Sequence, residues 1–528
     1  MASDTSNTSD TSDMSDTSDM DHPLYTVAQL REMEQAAGAG LPPGELMRRA
    51  GRAAADYALE LLGGRRDRPV LVLAGPGNNG GDALEAAANL AEAGVDATVL
   101  HLAGRRQPSF ETAAAHARAR AGALRWTDVL DPGAGWALVL DGLFGIGLER
   151  PVDGDYREAV LALEALRCPI LALDVPSGLD ADTGAVIGPD GIAVHASHTI
   201  TFLGDKPGLH TAHGRDHAGQ VRLATLGVGD DPGQAAGQAT GKPALAHAHM
   251  NGPACFAGRL RARRQNTHKG SFGDVAIVGG AHGMAGAPLL AARGALYAGA
   301  GRVYVAALGE TAGYDSSQPE IMLRAAHEFD FVNRTLVVGP GMGDSAHAIS
   351  LLARALDGDS PLVLDADALN LIGASPDMLS RLARRAAPAL LTPHPLEGAR
   401  LLGVTAAQVQ ADRLAAAREI ALRADATVLL KGSGSVIARP DGQVLVNPSG
   451  NAGLATAGSG DVLAGICGAL LAQGWPSWEA AAAAAWIHGA AADALVDEGV
   501  GPIGLTAGEL PGAARKVLNR LVREAAGD

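Results

Sequence analysis

The sequence predicts an α/β fold that consists of two doubly wound domains in tandem. Short apolar runs alternate with amphipathic segments along most of the chain, glycine-rich turns follow several of these runs, and the alternation is interrupted once near the middle. Alternating strands and helices fold into a parallel sheet that is covered by helices on both faces. A chain of 528 residues has room for two or three such domains.

The first half predicts four buried strands separated by helices. The pattern is helical from Leu24 to Leu62, and strands are then expected over residues 70–74, 97–100, 137–140 and 170–173. Helices between them are expected over residues 83–93, 111–123 and 157–166. This βαβα order predicts the parallel sheet of the first domain.

The alternation stops at residues 228–252, which are rich in Gly, Ala, Pro and Gln and contain no clear strand. This composition predicts an interdomain linker. A second alternating series follows, with strands expected near residues 274–278, 303–307, 336–338, 362–364, 390–392 and 428–430. Asp441-Gly442, between apolar runs at 435–438 and 444–446, predicts a two-residue hairpin and therefore one antiparallel edge.

Residues 1–22 predict a disordered acidic tail. They repeat Ser-Asp-Thr/Met with six Asp and no Lys or Arg, so they can bury too little apolar surface to offset the entropy of ordering. The expected organisation is therefore a tail over 1–22, a first domain over 23–227, a linker over 228–252 and a second domain over 253–528.

Composition excludes several classes of function. The chain has 42 Lys and Arg against 58 Asp and Glu, and 3% aromatic residues, which argues against a nucleic-acid partner. Three distant cysteines, Cys168, Cys255 and Cys467, form neither a disulfide framework nor a CxxC metal site and favour a reducing compartment. The first residues have no basic and apolar signal pattern, and no run of about 18 apolar residues occurs. We therefore expect a cytoplasmic protein with no membrane partner.

A glycine-rich turn follows the first strand. Gly75-Pro76-Gly77-Asn78-Asn79-Gly80-Gly81-Asp82 precedes the helix expected to open at Ala83. Gly-x-Gly-x-x-Gly at a strand–helix junction fits a phosphate-binding turn, because glycine lets backbone N–H groups approach an anion. An NAD dehydrogenase would have an acidic residue about 20 positions on, whereas Arg105 and Arg106 end the second strand here. A standard dehydrogenase is therefore disfavoured, although the two arginines could contact a 2′-phosphate.

Two further strands of the first half end in an acid. Asp141 and Asp174 follow these strands, and Ser177 comes shortly after Asp174. Since ligands bind beyond the carboxyl ends of parallel strands, we expect Asn79, Asp141 and Asp174 to share one crevice. Oxygen ligands without His or Cys suit a hard cation, while helix capping is the alternative explanation for each of them.

The first-half motifs resemble the N-terminal domain of the bifunctional NAD(P)H-hydrate repair enzymes. The resemblance covers about residues 24–227 and rests on three motifs in order: the Asn-Asn-Gly-Gly-Asp turn, residues 141–147 and residues 174–178. It implies a Rossmann-like three-layer sandwich and an epimerase, an isomerase that interconverts the R and S forms of hydrated NADH or NADPH. Ala83 departs from the family, which usually has glycine there.

The same resemblance implies functional residues. A potassium site is implied at Asn79, Asp141 and Ser177, and Asp174 and Lys206 are the catalytic candidates, each able to move a proton or to orient the ring. Substrate contacts are implied at Asp174 and at Asn78, Asn79, Gly80, Gly81, Asp82, Gly145, Ile146, Gly147, Leu148, Glu149, Arg150 and Pro151.

The second half contains an anion-binding turn next to an acid. Gly458, Ser459 and Gly460 leave backbone amides free at the start of an apolar helix, which can bind a phosphoryl group. Asp461 follows directly and can accept a proton from an attacking hydroxyl. No Walker A motif occurs in the chain. The pattern resembles the signature of ribokinase-like phosphoryl-transfer enzymes.

Other segments extend that resemblance. Lys431-Gly432-Ser433-Gly434-Ser435 offers amides, hydroxyls and a cation to a nucleotide phosphate, and His394 lies in a Thr392–Glu397 segment that ends a strand. Residues 268–273, 286–288 and 339–343 complete the set. Together they resemble the ADP-dependent NAD(P)H-hydrate dehydratase domain, a lyase, over about residues 253–525. Ala452, in place of a usual proline, and Ser435, in place of a common threonine, depart from the family.

The dehydratase resemblance implies a ribokinase-like three-layer sandwich and a reaction. Hydrate binding is implied at Ala287, Gly341, His394 and Asp461, and ADP binding at Lys431, Gly432, Ser433, Gly434, Ser435 and Gly460. The hydroxyl at C6 of the nicotinamide ring would be phosphorylated by ADP and then leave as phosphate. Asp461 would take the hydroxyl proton, while the Gly458–Gly460 amides and Mg²⁺ neutralise the developing charge.

Three hypotheses follow. The first is a cytoplasmic, homo-oligomeric metabolite-repair enzyme that epimerises hydrated NAD(P)H and dehydrates the S form. The second is a ribokinase-like kinase for a small alcohol or vitamin precursor, fused to a nucleotide-binding domain. The third is that the first domain is a non-catalytic binding module, which intact Asn79, Asp141, Asp174 and Ser177 argue against.

Overall fold

The computed structural model describes residues 22–66, 68–104, 107–228, 246–310 and 313–527. These residues form two mostly parallel sheets, each with helices on both faces, which confirms the predicted α/β class with two doubly wound units. The expected tail lies outside the described residues except for His22, as do Arg105, Arg106 and residues 229–245 of the expected linker. None of the described helices combines the length and the apolarity needed to cross a membrane.

The first sheet has seven parallel strands. In spatial order they are Arg125–Thr127, Ala97–His101, Val70–Ala74, Leu138–Gly142, Ile170–Leu173, His198–Phe202 and Gln220–Ala224. The helices are Val27–Gly38, Glu45–Leu62, Asn78–Glu92, Phe110–Ala121, Gly154–Leu163 and Gly214–His217. Strand order reverses beside Val70–Ala74, which places a ligand crevice between its end and that of Leu138–Gly142.

The four strands predicted in the first half are present, but the helix after the glycine-rich turn begins earlier than predicted. It starts at Asn78 rather than Ala83, so Asn78–Asp82 form its first turn. The early start depends on a close approach: a Cβ on Gly80 would lie 1.9 Å from the Gly75 carbonyl oxygen. Glycine at position 80 therefore allows the helix to begin against the strand end.

The second sheet has eleven strands. In spatial order they are Pro23–Leu24, Ala248–Met250, Val444–Val446, Val436–Ala438, Thr427–Leu430, Ala389–Leu391, Leu362–Leu364, Thr335–Val338, Asp274–Gly279, Arg302–Ala307 and Met322–Ala325. The helices are Gly286–Tyr297, Ala346–Asp357, Ala366–Gly373, Pro376–Ala383, Pro395–Leu402, Ala406–Ala411, Arg413–Ala424, Ser459–Ala472, Ser477–Asp497 and Leu510–Ala526.

Two expectations about this sheet are wrong in detail. The Asp441-Gly442 hairpin is antiparallel as predicted, but it is internal, because Ala248–Met250 pairs beyond it. That strand lies within the segment expected to be a linker without strands. Pro23–Leu24, from the expected first domain, then pairs antiparallel with Ala248 and His249. The chain before the first sheet thus forms an edge of the second.

Small residues bring two helices of the second unit close together. A Cβ on Gly465 would lie 1.9 Å from the Ala291 carbonyl oxygen, and one on Gly294 would lie 2.4 Å from that of Val462. Helices Gly286–Tyr297 and Ser459–Ala472 can therefore pack backbone to backbone. This packing places Gly458–Asp461 beside the start of the other helix.

Candidate active sites

A cavity of about 1910 Å³ opens at the ligand-facing end of the first sheet. It is larger than the ~300–1,000 Å³ of ordinary small-molecule sites and has room for a dinucleotide. Most of the sequence-predicted contacts line it, namely Asn78, Asn79, Asp82, Gly145, Ile146, Gly147, Leu148, Glu149, Arg150, Asp174 and Lys206. Gly80, Gly81 and Pro151 pack behind this lining, against Gly75, Met47 and Gly188 respectively.

Asp174 and Lys206 form an ion pair in this cavity, with 2.9 Å between the Lys206 Nζ and an Asp174 carboxylate oxygen. Lys206 is 1% exposed, and its ammonium group also donates to the Thr201 hydroxyl at 2.6 Å. Asp174 has a φ of 67°, a left-handed conformation that is rare for residues other than glycine. Its other carboxylate oxygen accepts a 3.3 Å hydrogen bond from the Ile146 N–H. The pair is therefore held rigidly between two strand ends and residues 145–146.

Of the three residues predicted to bind a cation, Asp141 and Ser177 contact each other, while Asn79 lies near Gly145: a Cβ on Gly145 would lie 3.3 Å from the Asn79 side chain. Asp141 is fully buried and accepts hydrogen bonds from the Ser177 N–H at 2.9 Å and the Ser177 hydroxyl at 2.7 Å. Burial raises the pKa of Asp141, and the Ser177 hydrogen bonds oppose that rise. The buried amide oxygen and nitrogen of Asn79 have no hydrogen-bond partner among the described residues. A buried amide oxygen without a partner and a buried carboxylate at the same end of the sheet fit a cation site.

Two further acids face the same cavity. Burial raises the pKa of Asp82 well above its usual range, and the nearby charges of Asp174 and Glu34 raise it further. Glu34 also has a raised pKa, chiefly through burial and then through Asp174. Asp82 was predicted, whereas Glu34 was missed, because it comes from helix Val27–Gly38 and carries no local motif. The cavity therefore places several acids close together, and their mutual repulsion and burial both favour the protonated forms of Asp82 and Glu34.

Asp461 lies in the first turn of helix Ser459–Ala472. The N-cap of this helix is Gly458, which has a φ of 90°. Burial raises the pKa of Asp461 to about 7, with a further rise from Asp365 and an opposing effect of Lys431. Of the amides expected to be free at this helix start, the Ser459 N–H donates to the Thr456 carbonyl at 3.4 Å. An anion site next to a base at Gly458–Asp461 stays a prediction.

Lys431 connects the glycine-rich segment 431–435 to buried acids. Its Nζ lies 2.6 Å from an Asp365 carboxylate oxygen and 3.8 Å from one of Glu397. A Cβ on Gly460 would lie 3.3 Å from the Lys431 Nζ, so the lysine also borders the start of helix Ser459–Ala472. The structure therefore brings together the segments predicted to bind nucleotide and the predicted base.

Asp365 and Asp367 were missed at the sequence level. They follow strand Leu362–Leu364, and the strand-end pattern that identified Asp141 and Asp174 also applies to Asp365. Asp365 accepts a 2.9 Å hydrogen bond from the Thr392 hydroxyl, and Asp367 accepts one of 2.8 Å from the Gly343 N–H. These acids therefore position the turns that carry Gly341 and His394.

Gly341 and His394 lie in surrounding turns, and Ala287 lies in the first turn of helix Gly286–Tyr297. A Cβ on Gly341 would lie 3.3 Å from that of Ala287. His394 caps helix Pro395–Leu402, since its Nδ1 accepts hydrogen bonds from the Leu396 and Glu397 N–H groups at 3.1 and 3.4 Å. Its imidazole is half-exposed, so the capping role coexists with a surface that a ligand can reach.

Two family models match the chain. Residues 43–208 match the YjeF-related protein N-terminus, and residues 275–510 match NAD(P)H-hydrate dehydratase. The chain is 35% identical over 504 residues to the bifunctional NAD(P)H-hydrate repair enzyme of Escherichia coli, with 92% of each chain covered. It is 50% identical over 271 residues to the ADP-dependent (S)-NAD(P)H-hydrate dehydratase of Neisseria meningitidis, covering 50% of this chain and 91% of that protein. It is 29% identical to a solved structure of the ADP/ATP-dependent NAD(P)H-hydrate dehydratase from Bacillus subtilis. That match has a TM-score of 0.44 and covers 50% of this chain and 96% of the other.

Proposed function

Because the chain belongs to the family of bifunctional NAD(P)H-hydrate repair enzymes, we propose that each of its two sites performs one step of this repair. The first site interconverts the R and S epimers of hydrated NADH and NADPH. The second removes the added water from the S epimer and converts ADP to AMP and phosphate. The observation that carries this assignment is that both sites pair a carboxylate with a lysine at the ligand-facing ends of strands.

In the first site, epimerisation inverts the carbon that carries the added hydroxyl group. A proton must reach the departing oxygen and be removed when oxygen returns from the other face. Asp174 and Lys206 are held 2.9 Å apart in the cavity, so the pair can exchange a proton with that oxygen or fix the orientation of the ring. Asn78, Asn79 and residues 145–150 bind the remainder of the dinucleotide in this proposal.

Potassium fits the set formed by Asn79, Asp141 and Ser177. These residues offer amide, carboxylate and hydroxyl oxygens, and the Asn79 oxygen is buried without a partner among the described residues. Potassium supplies, when bound, a positive charge that compensates the buried Asp141 carboxylate. The ordered loop at 144–146, which contacts both Ser177 and Asp174, then stays in place for substrate.

In the second site, Asp461 is the base for phosphoryl transfer. It removes the proton from the C6 hydroxyl as that oxygen attacks the terminal phosphorus of ADP, and the Gly458–Gly460 amides stabilise charge on the transferred group. Loss of the phosphate from C6 together with a proton from C5 then restores the double bond of the dihydropyridine ring. Lys431, with Gly432–Ser435, binds the nucleotide, while Ala287, Gly341 and His394 contact the hydrate.

Magnesium fits the carboxylates around Lys431 in combination with nucleotide phosphates. Asp365, Asp367 and Glu397 lie close enough to raise the pKa of Asp461. One or two carboxylates plus phosphate oxygens are what Mg²⁺ usually binds. Magnesium supplies, when bound, charge neutralisation for the phosphoryl group in transfer.

The test uses the full chain with separated R and S epimers of hydrated NADH and with ADP. We expect both epimers to return to NADH, measured by the absorbance of the dihydronicotinamide, with release of AMP and phosphate. Return of neither epimer contradicts the proposal. Net phosphorylation of a vitamin precursor without NADH recovery supports the kinase hypothesis, and recovery of the S epimer alone supports a first domain that only binds ligand.

The finer properties of the protein are part of the same proposal. We place the folding units at 23–227 and 253–528, with strand Ala248–Met250 and Pro23–Leu24 completing the second sheet. The small number of cysteines and their wide separation along the chain favour a reducing cytoplasm, and a homo-oligomer is expected. Light scattering of the purified chain tests the oligomeric state.

A further inference from the structure

One segment of the first domain lies directly against the nucleotide segment of the second. The Thr211 hydroxyl contacts the Gly434 and Ser433 carbonyl oxygens at 2.9 and 3.2 Å, and can donate its proton to them. The Ala212 N–H donates to the Ser433 carbonyl at 3.0 Å. The carbonyls of residues 433 and 434 are therefore paired with the first domain.

A second contact comes from the same segment. Arg215 donates a 2.8 Å hydrogen bond to the Gly450 carbonyl, shortly before the turn that leads to Asp461. Residues 211–215 thus contact two loops of the second domain, the segment 431–435 and the loop that contains Gly450.

Thr211 and its neighbour His210 pack tightly against Gly434. Thr211 is fully buried, and a Cβ on Gly434 would lie 2.0 Å from the His210 carbonyl oxygen. Gly434 has a φ of 62°, which favours glycine for a second reason. The shape of segment 431–435 is therefore determined in part by the first domain.

Arg413 connects Thr211 to the strand that precedes the nucleotide segment. Its guanidinium donates to the Thr211 hydroxyl at 3.1 Å and to the Leu430 and Lys431 carbonyls at 3.2 Å each. Burial lowers the pKa of Arg413 to about 10, so the group stays charged at neutral pH. Thr211 therefore accepts from Arg413 and donates to residues 433–434, and loss of its hydroxyl would leave buried groups on both sides without a partner.

The segment is also anchored at the epimerase site. Asp205, next to Lys206, accepts hydrogen bonds of 2.8 Å from both His22 and His210. Thr211 follows His210 directly, so a short stretch of chain with hydrogen bonds at both ends leads from Lys206 to segment 431–435.

We propose that Thr211 of the epimerase domain is a positioning residue for ADP binding in the dehydratase domain. It holds segment 431–435 in the conformation that receives the nucleotide phosphates, so the ADP affinity of the second site depends on the first domain. This inference rests on the proposed function of that segment as the ADP site.

The test compares KM and kcat in three full-length variants, assayed with the S epimer and varied ADP. In Thr211→Val, which keeps the shape but loses the hydroxyl, we expect the KM for ADP to rise about three- to thirtyfold with little change in kcat. Thr211→Ser should restore the wild-type KM. The matched control is Thr199→Val, because the buried Thr199 hydroxyl donates only within the first domain, to the Ala218 carbonyl at 2.7 Å.

The outcomes separate the alternatives. If wild type and Thr211→Val have equal KM values for ADP, the inference is overturned and the proposed function is unaffected. The same holds if the KM for ADP rises as much in Thr199→Val as in Thr211→Val. A wild-type chain without ADP-dependent turnover contradicts both proposals.

A measurement on the wild-type chain covers the case in which Thr211→Val does not fold. We expect added ADP to slow amide hydrogen exchange at Ala212, whose N–H is bonded to Ser433 across the domain boundary. Unchanged exchange at this amide overturns the inference.

Discussion

Lys206 and Asp174 form a buried ion pair at the ligand-facing end of the first sheet, with 2.9 Å between the ammonium nitrogen and a carboxylate oxygen. The two residues follow neighbouring strands, Ile170–Leu173 and His198–Phe202. The ion pair is buried and held in place, since the Lys206 ammonium group also donates to the Thr201 hydroxyl and to the Phe202 and Gly204 carbonyls. Because this pair lies in the first site, substitutions in it can test the epimerase function separately from the dehydratase function.

Replacing Asp174 with alanine should abolish turnover of the R epimer and spare the S epimer. Removal of the carboxylate takes away a proton-transfer group and leaves Lys206 buried without its ion-pair partner. We expect the rate with the R epimer to fall about a hundredfold or more. The rates with the two epimers are measured separately, with the exposed Asp190→Ala as the control. Unchanged turnover of the R epimer in Asp174→Ala contradicts the epimerase assignment.

Replacing Asp461 with asparagine should stop recovery from both epimers. The dehydration step is common to both routes, and loss of a general base typically costs about 10²–10⁴ in rate. Epimerisation itself should continue, which is measured as conversion of the R form to a mixture of epimers without NADH formation. The exposed Asp497→Asn, in the next helix, is the matched control. Normal NADH recovery in Asp461→Asn would show that another group accepts the proton.

Dehydration of the S epimer should depend on pH near neutrality. Burial and the nearby Asp365 raise the pKa of Asp461 to about 7, so this carboxyl is protonated and inactive as a base at pH 6 and ionised at pH 8. With ADP saturating, kcat/KM for the hydrate should therefore fall about tenfold for each pH unit below about 7 and level off above it. A profile that is flat down to pH 5, as for an ordinary aspartate, contradicts the assignment of Asp461 as the base.

The central part of the fold could be predicted because its strands are buried on both faces. Runs such as 70–74 and 170–173 are continuously apolar for that reason. Strands at the margins, such as Gln220–Ala224 and Met322–Ala325, are partly exposed, and their mixed composition gave no signal. Ala248–Met250 is three residues long and follows a stretch of low complexity, so its strand character depends on pairing with Val444–Val446.

The candidate sites were predictable where a motif is local. Asp141 lies near the end of strand Leu138–Gly142, Asp174 directly follows strand Ile170–Leu173, and Asp461 follows a glycine-rich turn. Glu34 could not be predicted, since it reaches the first cavity from a separate helix. The contact between Thr211 and Gly434 depends on how the two domains pack, which no local pattern encodes.

Removing potassium should slow epimerisation and leave dehydration of the S epimer unchanged. Asp141 is buried without an ion pair among the described residues, and the side-chain oxygen and nitrogen of Asn79 have no hydrogen-bond partner among them. A cation bound by these residues would therefore be stabilising. It would hold in place the loop whose Ile146 N–H donates to Asp174. We expect turnover of the R epimer to increase with potassium concentration and to fall when a bulky organic cation replaces it at equal ionic strength. In Asp141→Asn, which keeps the shape but removes the buried charge, this dependence should disappear. The S epimer serves as the internal control because its dehydration uses only the second site. A rate with the R epimer that is independent of potassium in the wild-type chain would assign Asn79, Asp141 and Ser177 a purely structural role.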